Sequence, residues 1–193
     1  MSELPNGWTE TTLGEICSKP QYGWTSKASR IGKIKYVRTT DISGGQINWS
    51  NVPFCEDEPT DFGKYQVNKN DILVSRAGSV GISFRIEDVP CKAVFASYLI
   101  RFNALECVEP KFIEYFLQSH SYWEAISELS AGIAVPNVNA SKLAELKLPI
   151  SPINEQRRIV IKLEKILSKV EVSEQRLEKI PQILKRFRQS VLA

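Results

Sequence analysis

The chain has 193 residues, 42% of them hydrophobic and 24% charged, enough for one domain of ordinary size with its own core plus an appendage. A formal net charge of +3 excludes a wholesale polyelectrolyte binder, and a single histidine beside four scattered cysteines excludes a zinc cluster. No apolar run approaches membrane-spanning length and no basic-then-apolar leader opens the chain, so the expected setting is the cytoplasm of a bacterium or archaeon. Cys17, Cys55, Cys91 and Cys107 form no C-x-x-C pair and are expected to be buried, reduced thiols.

Residues 1–150 are rich in short β-type runs broken by turn chemistry, so this part is expected to be mostly sheet. The first informative segment is KPQYGWTSKASRIGKIKYVR, which carries Lys19, Lys27, Arg30, Lys33, Lys35 and Arg38 with no acid. Tyr22, Trp24, Thr25 and Ser26 are interleaved with these cations and Thr39 follows them, a pattern that fits phosphate binding. A solvated strand and loop whose acids lie elsewhere accounts for the run equally well. Next come KIKYVRTTDI, a turn at SGGQ, and QINW, all strand-like; CEDEPTD then supplies negative charge, so a basic face and an acidic face are expected.

The run NDILVSRAGSVGISFRI places Arg76 and Ser79 after a buried strand (Ile72, Leu73, Val74), beside Gly78 and Gly81, which would let backbone approach a ligand. Lysines suit phosphates as flexible point charges, whereas Arg38 and Arg76, at strand ends, carry planar forks that can be aimed at a guanine edge. The competing reading makes Arg76 the partner of a nearby acid. CKAVFASYLIRF reads as one more strand run. EPKFIEYFLQSHSYWEAISEL reads as one helix opened by Glu109-Pro110; a shorter helix at NASKLAELK and a last strand at LPI follow.

Pro149 and Pro152 mark a boundary, with Ser151 expected as N-cap and Pro152 at the first helical position. Beyond it, Ile159, Leu163, Ile166, Val170, Leu177, Ile180, Leu184, Phe187 and Val191 recur at alternating spacings of four and three, with Ser173 the one polar member. Pro181 falls beside this stripe, where the helix is expected to kink or break and resume. So narrow a stripe calls for a partner helix; the alternative is one helix folded back on the globular part. The expected architecture is therefore α+β: a mostly β domain over residues 1–150 with a few helices, then a long coiled-coil-type helix over residues 151–193.

Catalytic signatures are sparse. There is no G-x-G-x-x-G after a strand, no phosphate-binding G-x-x-x-x-G-K-[ST] loop, and no Asn/Asp-Pro-Pro-aromatic tetrapeptide. Glu145 and Lys147 form an E-x-K that could join Asp71 or Asp88 in a nuclease metal site, although a solvated helix end explains them better. His120 is the one imidazole available as a base, and QSHSYW reads as surface or packing.

The ordered set LPNGWTETTLGEI, YVRTTDISGGQI, VNKNDILVSRAGSVG, GIAVPNVNASKLAELKLPISPINEQRRIVIKLEKIL and LKRFRQSVLA resembles the specificity subunit of type I restriction-modification systems over essentially the whole chain. Its most specific part is the LP-x-x-P-x-x-EQ-x-x-I junction into the long helix. Asn70-Asp71 stands where relatives often have Gly-Asp, which should alter one turn. Relatives also tend to carry two target-recognition domains and two helical regions, whereas this chain has one of each, so a half-sized subunit or an excised N-terminal half is expected.

The resemblance implies that the domain reads one half of a bipartite site on double-stranded DNA. It implies that the helix is a spacer and a dock for DNA adenine methyltransferase subunits and a restriction subunit. It also implies that the chain binds no cofactor, since S-adenosylmethionine, ATP and Mg belong to those partners. On this reading the isolated chain forms an antiparallel homodimer through its stripe. The rival is a non-catalytic coiled-coil module whose β-domain binds a protein.

Overall fold

The computed structural model describes residues 4–43, 46–130 and 137–191. They form two units, Met1–Gln156 and Arg157–Ala193, with the division inside the last helix. In chain order the first unit begins with β1 (Thr9–Thr12), α1 (Leu13–Ile16), β2 (Gln21–Tyr22), β3 (Ala28–Ser29) and β4 (Lys35–Val37). A 3₁₀ turn (Thr39–Asp41), β5 (Ile42–Ser43), β6 (Gln46–Ile47), β7 (Phe54–Cys55), α2 (Phe62–Tyr65), β8 (Ile72–Ser75) and β9 (Ser83–Arg85) come next. The unit continues through β10 (Ala93–Phe95), β11 (Leu99–Phe102), α3 (Pro110–Phe116), α4 (His120–Ser130), α5 (Ala140–Ala144) and β12 (Lys147–Ile150); α6 (Ile153–Val191) ends the chain. The class is α+β, as the sequence implied.

The longest apolar runs became strands buried on both faces. β8 and β11 pair antiparallel, Val74 opposite Ile100. Side chains alternate along a strand, so Ile72, Val74, Ile100 and Phe102 enter one core while Leu73 and Leu99 enter a second. A strand enclosed on both sides must be apolar at both parities, which is why these segments read as unbroken runs. Likewise Ala93 and Phe95 of β10 join the second core while Val94 enters a third with Tyr36.

One sheet has the order β2-β11-β8-β9; the other has β10-β4-β7-β3, with β10 and β4 parallel. CKAVFASYLIRF is thus two strands in different sheets, joined by a turn in which Leu99 N donates to Ala96 O at 2.9 Å. Two ribbons complete the unit: β1 with β12, and β5 with β6, the latter flanking the SGGQ turn, whose two glycines lie outside the described residues.

The segment expected as one helix is two, α3 and α4. At the end of α3, Gln118 N and Ser119 N donate to Tyr115 O and Phe116 O at 3.2 and 2.9 Å, tightening the last turn. The Ser119 hydroxyl then accepts from Tyr122 N at 3.3 Å and caps the next helix, which is how a serine interrupts a helical pattern. Pro110 opens α3 as read, and Asn139 caps α5 by accepting from Lys142 N at 2.8 Å.

At the proline joint the capping differs from expectation by one residue. Pro152 O takes the first helical bond, from Gln156 N at 3.1 Å, and the Ser151 hydroxyl is buried without a partner. Gln156 fastens the joint instead: its amide donates to Ser151 O at 2.7 Å and its carbonyl accepts from Glu109 N at 2.9 Å. Asn70 takes φ of 68°, the left-handed region that glycine adopts freely and asparagine tolerates. Asp71 beside it is buried, accepts from Asn68 N at 2.9 Å and pairs with Arg101 at 3.4 Å; burial pushes its carboxyl above the usual range.

Two of the thiols correct the sequence expectation. Cys17 and Cys55 are buried, but Cys91 and Cys107 are exposed; all four are free. The second unit is helical over its described length, and α6 continues through Pro181 without the expected break. One proline removes a single rung of the ladder, and the turns on either side keep theirs.

Candidate nucleic-acid interface

One edge of the first unit collects short pieces of chain that are far apart in sequence. Arg76, just past β8, donates from its backbone N to Tyr98 O at 2.8 Å, and its carbonyl accepts from Val138 N at 3.0 Å. The neighbouring Ala77 forms an antiparallel bridge with Asn137. Tyr22 on β2 lies opposite Ile100 of β11, and its hydroxyl accepts from Ala140 N at 2.9 Å. Thr39 donates to the Ser75 hydroxyl at 3.4 Å. Tyr22, Tyr98, Ser79 and Asn137 are exposed at this edge.

The Arg76 guanidinium carbon lies 5.0 Å from the centroid of the Tyr22 ring, within cation–π range. Its Nε is buried and takes no hydrogen bond, and among the described residues no carboxylate pairs with it. The acid partner weighed in the sequence reading is therefore not present there.

Arg38 is placed differently. Its fork grips Asp41 through Nε at 3.1 Å and Nη2 at 2.7 Å, and its backbone N donates to the same carboxylate. That hydrogen-bonded carboxylate raises the Arg38 pKa further.

Not every cation of the basic run 19–38 is free for a ligand. Lys19 is exposed before β2. Trp24 is half-buried, with its indole donating to Asp57 O at 2.8 Å and its ring 5.2 Å from Tyr65. Thr25 is exposed, while the Ser26 hydroxyl accepts from Asp57 N at 3.0 Å. Lys27, Arg30 and Lys33 are exposed around β3. Lys35 is committed internally: its ammonium donates to Val52 O at 2.6 Å and sits 4.3 Å from the Phe54 ring centroid.

The expected division into a basic and an acidic face fails at this strand. Glu56 N donates to Lys27 O at 2.9 Å, so the CEDEPTD acids adjoin the cations because β3 and β7 pair. Gly81 also has a different duty from the one expected. It packs under α4, where a Cβ would come within 2.9 Å of Ile126, and its carbonyl accepts from the buried Tyr122 hydroxyl at 2.6 Å; Gly78 alone faces open space. Tyr98 and Asn137 were missed because only strand pairing brings them to Arg76.

Glu145 and Lys147 line one shallow surface depression that neither Asp71 nor Asp88 lines. Lys147 pairs with Glu10 across the β1·β12 ribbon at 3.0 Å, Glu145 ends α5, and Asp88 is exposed whereas Asp71 is buried. Among the described residues no three His, Cys, Asp or Glu side chains are grouped as a metal site. His120 is a surface residue 3.1 Å from Glu124. No described helix is long and apolar enough to cross a membrane.

In the second unit, Ile166, Val170, Leu177, Ile180, Leu184 and Phe187 are all exposed, from 43% to 64%. Ile159 and Leu163 are half-buried. From Ile166 to Phe187 the apolar positions of the stripe read from the sequence are thus uncovered.

Residues 5–182 match the family described as type I restriction modification DNA specificity domain, and the chain belongs to that family. It is 27% identical over 202 residues to the type I restriction enzyme StySPI specificity subunit of Salmonella potsdam, across 99% of this chain and 43% of that protein. It is 28% identical over 201 residues to the EcoKI specificity subunit of Escherichia coli K12, across 98% of this chain and 42% of that one. Among solved structures it resembles a chain from a study of complex assembly and conformational transition of a type I R-M system, with a TM-score of 0.76 at 22% identity, over 99% of this chain and 46% of that one. The HsdS subunit of Thermoanaerobacter tengcongensis gives a TM-score of 0.68 at 22% identity, over 89% and 40%. The chain spans less than half the length of these relatives.

Proposed function

We propose that this chain reads one half of a bipartite DNA target as the recognition part of a type I specificity subunit. Residues 1–150 act as the target-recognition domain and residues 151–193 as the coiled-coil spacer. The observation that carries the reading is Arg76: a guanidinium held against an aromatic ring, with no carboxylate partner among the described residues, on an exposed edge, in a chain of the DNA specificity family. Such a fork suits the O6 and N7 acceptors of guanine in the major groove.

The chain does no chemistry of its own. Methyl transfer from S-adenosylmethionine and ATP- and Mg-dependent cleavage belong to methyltransferase and restriction subunits that it scaffolds. The uncovered stripe of α6 fits a second helix, and in isolation that helix is another copy in antiparallel pairing. The test is to co-express the chain with candidate DNA adenine methyltransferase subunits, co-purify them and map methylated adenines by sequencing. A motif whose one half changes when Arg76 is substituted supports the reading. Stable complexes that methylate DNA identically with and without this chain would refute it.

A further inference from the structure

We infer that Tyr22 is a positioning residue for Arg76 and not a DNA contact in its own right; the inference rests on the DNA-reading role proposed above. Three observations lead there. Tyr22 is fixed at its backbone by pairing with Ile100, at its hydroxyl by Ala140 N, and at its ring by the Arg76 guanidinium 5.0 Å away. An aromatic platform for a base needs freedom to adjust, and a ring with Arg76 over one face, its hydroxyl bonded and its backbone paired has little of it. Arg76 has the complementary need. Its Nε is buried without a partner and no described carboxylate holds it, so the ring is the group that fixes its plane.

A planar fork reads a base edge only if its plane is set before binding, because a wandering guanidinium meets phosphates as readily as bases. Tyr22 supplies that constraint, and through its hydroxyl it ties the fork to the start of α5. Discrimination between half-sites therefore depends on Tyr22 through Arg76.

The experiment is a double-mutant cycle on cognate and scrambled duplexes at several salt concentrations, using Tyr22→Leu, Arg76→Ala and the double variant. Each single change is expected to lower the cognate preference about tenfold, and the double variant should be no worse than Arg76→Ala alone. The slope of affinity against salt should be unchanged by Tyr22→Leu. Additive losses, or equal loss on both duplexes, would overturn the inference by making Tyr22 a contact itself.

If Tyr22→Leu unfolds, phenylalanine and increasingly fluorinated phenylalanines at position 22 keep the shape while weakening the ring quadrupole. Discrimination should then fall in graded steps, and no grading overturns the stacking role. A native chain with no salt-dependent DNA affinity would instead sink the DNA-reading proposal, a result distinct from either of these.

Discussion

Gly81→Ala separates two costs that the structure assigns to one residue. Gly81 has φ of 86°, and a Cβ there would lie 2.9 Å from Ile126 Cγ2 and 3.1 Å from Trp123 Cζ3. An L-residue in the left-handed region costs about 1–2 kcal/mol, and forcing a methyl into a packed contact costs a further 1–3 kcal/mol or so. Together they come to roughly 2–5 kcal/mol, or a fall in Tm of roughly 4–20 °C for a chain of this size. Gly78→Ala is the matched control, because φ is 76° and no atom lies within 4 Å of the added Cβ. It should cost only the conformational part, about 1–2 kcal/mol. Urea unfolding followed by near-ultraviolet circular dichroism measures both variants. Equal losses for the two, or a loss under about 1 kcal/mol for Gly81→Ala, would refute the packing of the turn under α4.

In the native protein Cys91 and Cys107 should react rapidly with Ellman's reagent and Cys17 and Cys55 only on unfolding, since burial pushes the Cys17 thiol up to about 12; four fast thiols would contradict the fold. Lys33→Ala should weaken binding to all duplexes alike and reduce the salt slope by about one unit, as loss of a phosphate contact does. Lys35→Ala, which removes an ammonium already bonded to Val52 O, should leave the slope unchanged and lower stability instead. Replacing Leu163 and Val170 together by Asp should give monomers in sedimentation with the globular unit still folded, whereas an unmodified chain already monomeric at high concentration would remove the helix-pairing proposal.

What the sequence made legible was whatever local physics decides. β8 and β11 were readable because enclosure on both faces demands apolar residues at both parities, and the stripe of α6 because a helix with a 3.5-residue repeat carries its pattern unaided. The division of residues 109–130 into two helices turned on the Ser119 hydroxyl, a polar choice that periodicity does not register. The separation of β10 from β11 depended on partners far along the chain, β4 for one and β8 for the other. The basic run stayed open between a binding patch and a solvated loop for the same reason: β3·β7 pairing brings Glu56 and Asp57 beside Ser26 and Lys27, and only that pairing reveals which cations are left uncommitted.

Arg38 and Arg76 show how much a nearby group decides. Both follow core strands, and the Thr39–Ser75 hydrogen bond places their neighbours in contact, so sequence gave them the same role. Asp41 distinguishes them. Its side chain is only 4% exposed, and a carboxylate so buried requires a cation, which Arg38 supplies through two bonds. The pair is neutral as a unit, and Arg38 could turn to DNA only by leaving a buried charge unpaired, a cost of several kcal/mol that one base contact at about 1–3 kcal/mol does not offset. Arg76 faces an aromatic ring instead, which steadies the guanidinium without neutralising it. Its charge remains available at the edge, so of the two arginines Arg76 is the one that the proposed base-reading role fits, while Arg38 holds the turn that carries Thr39.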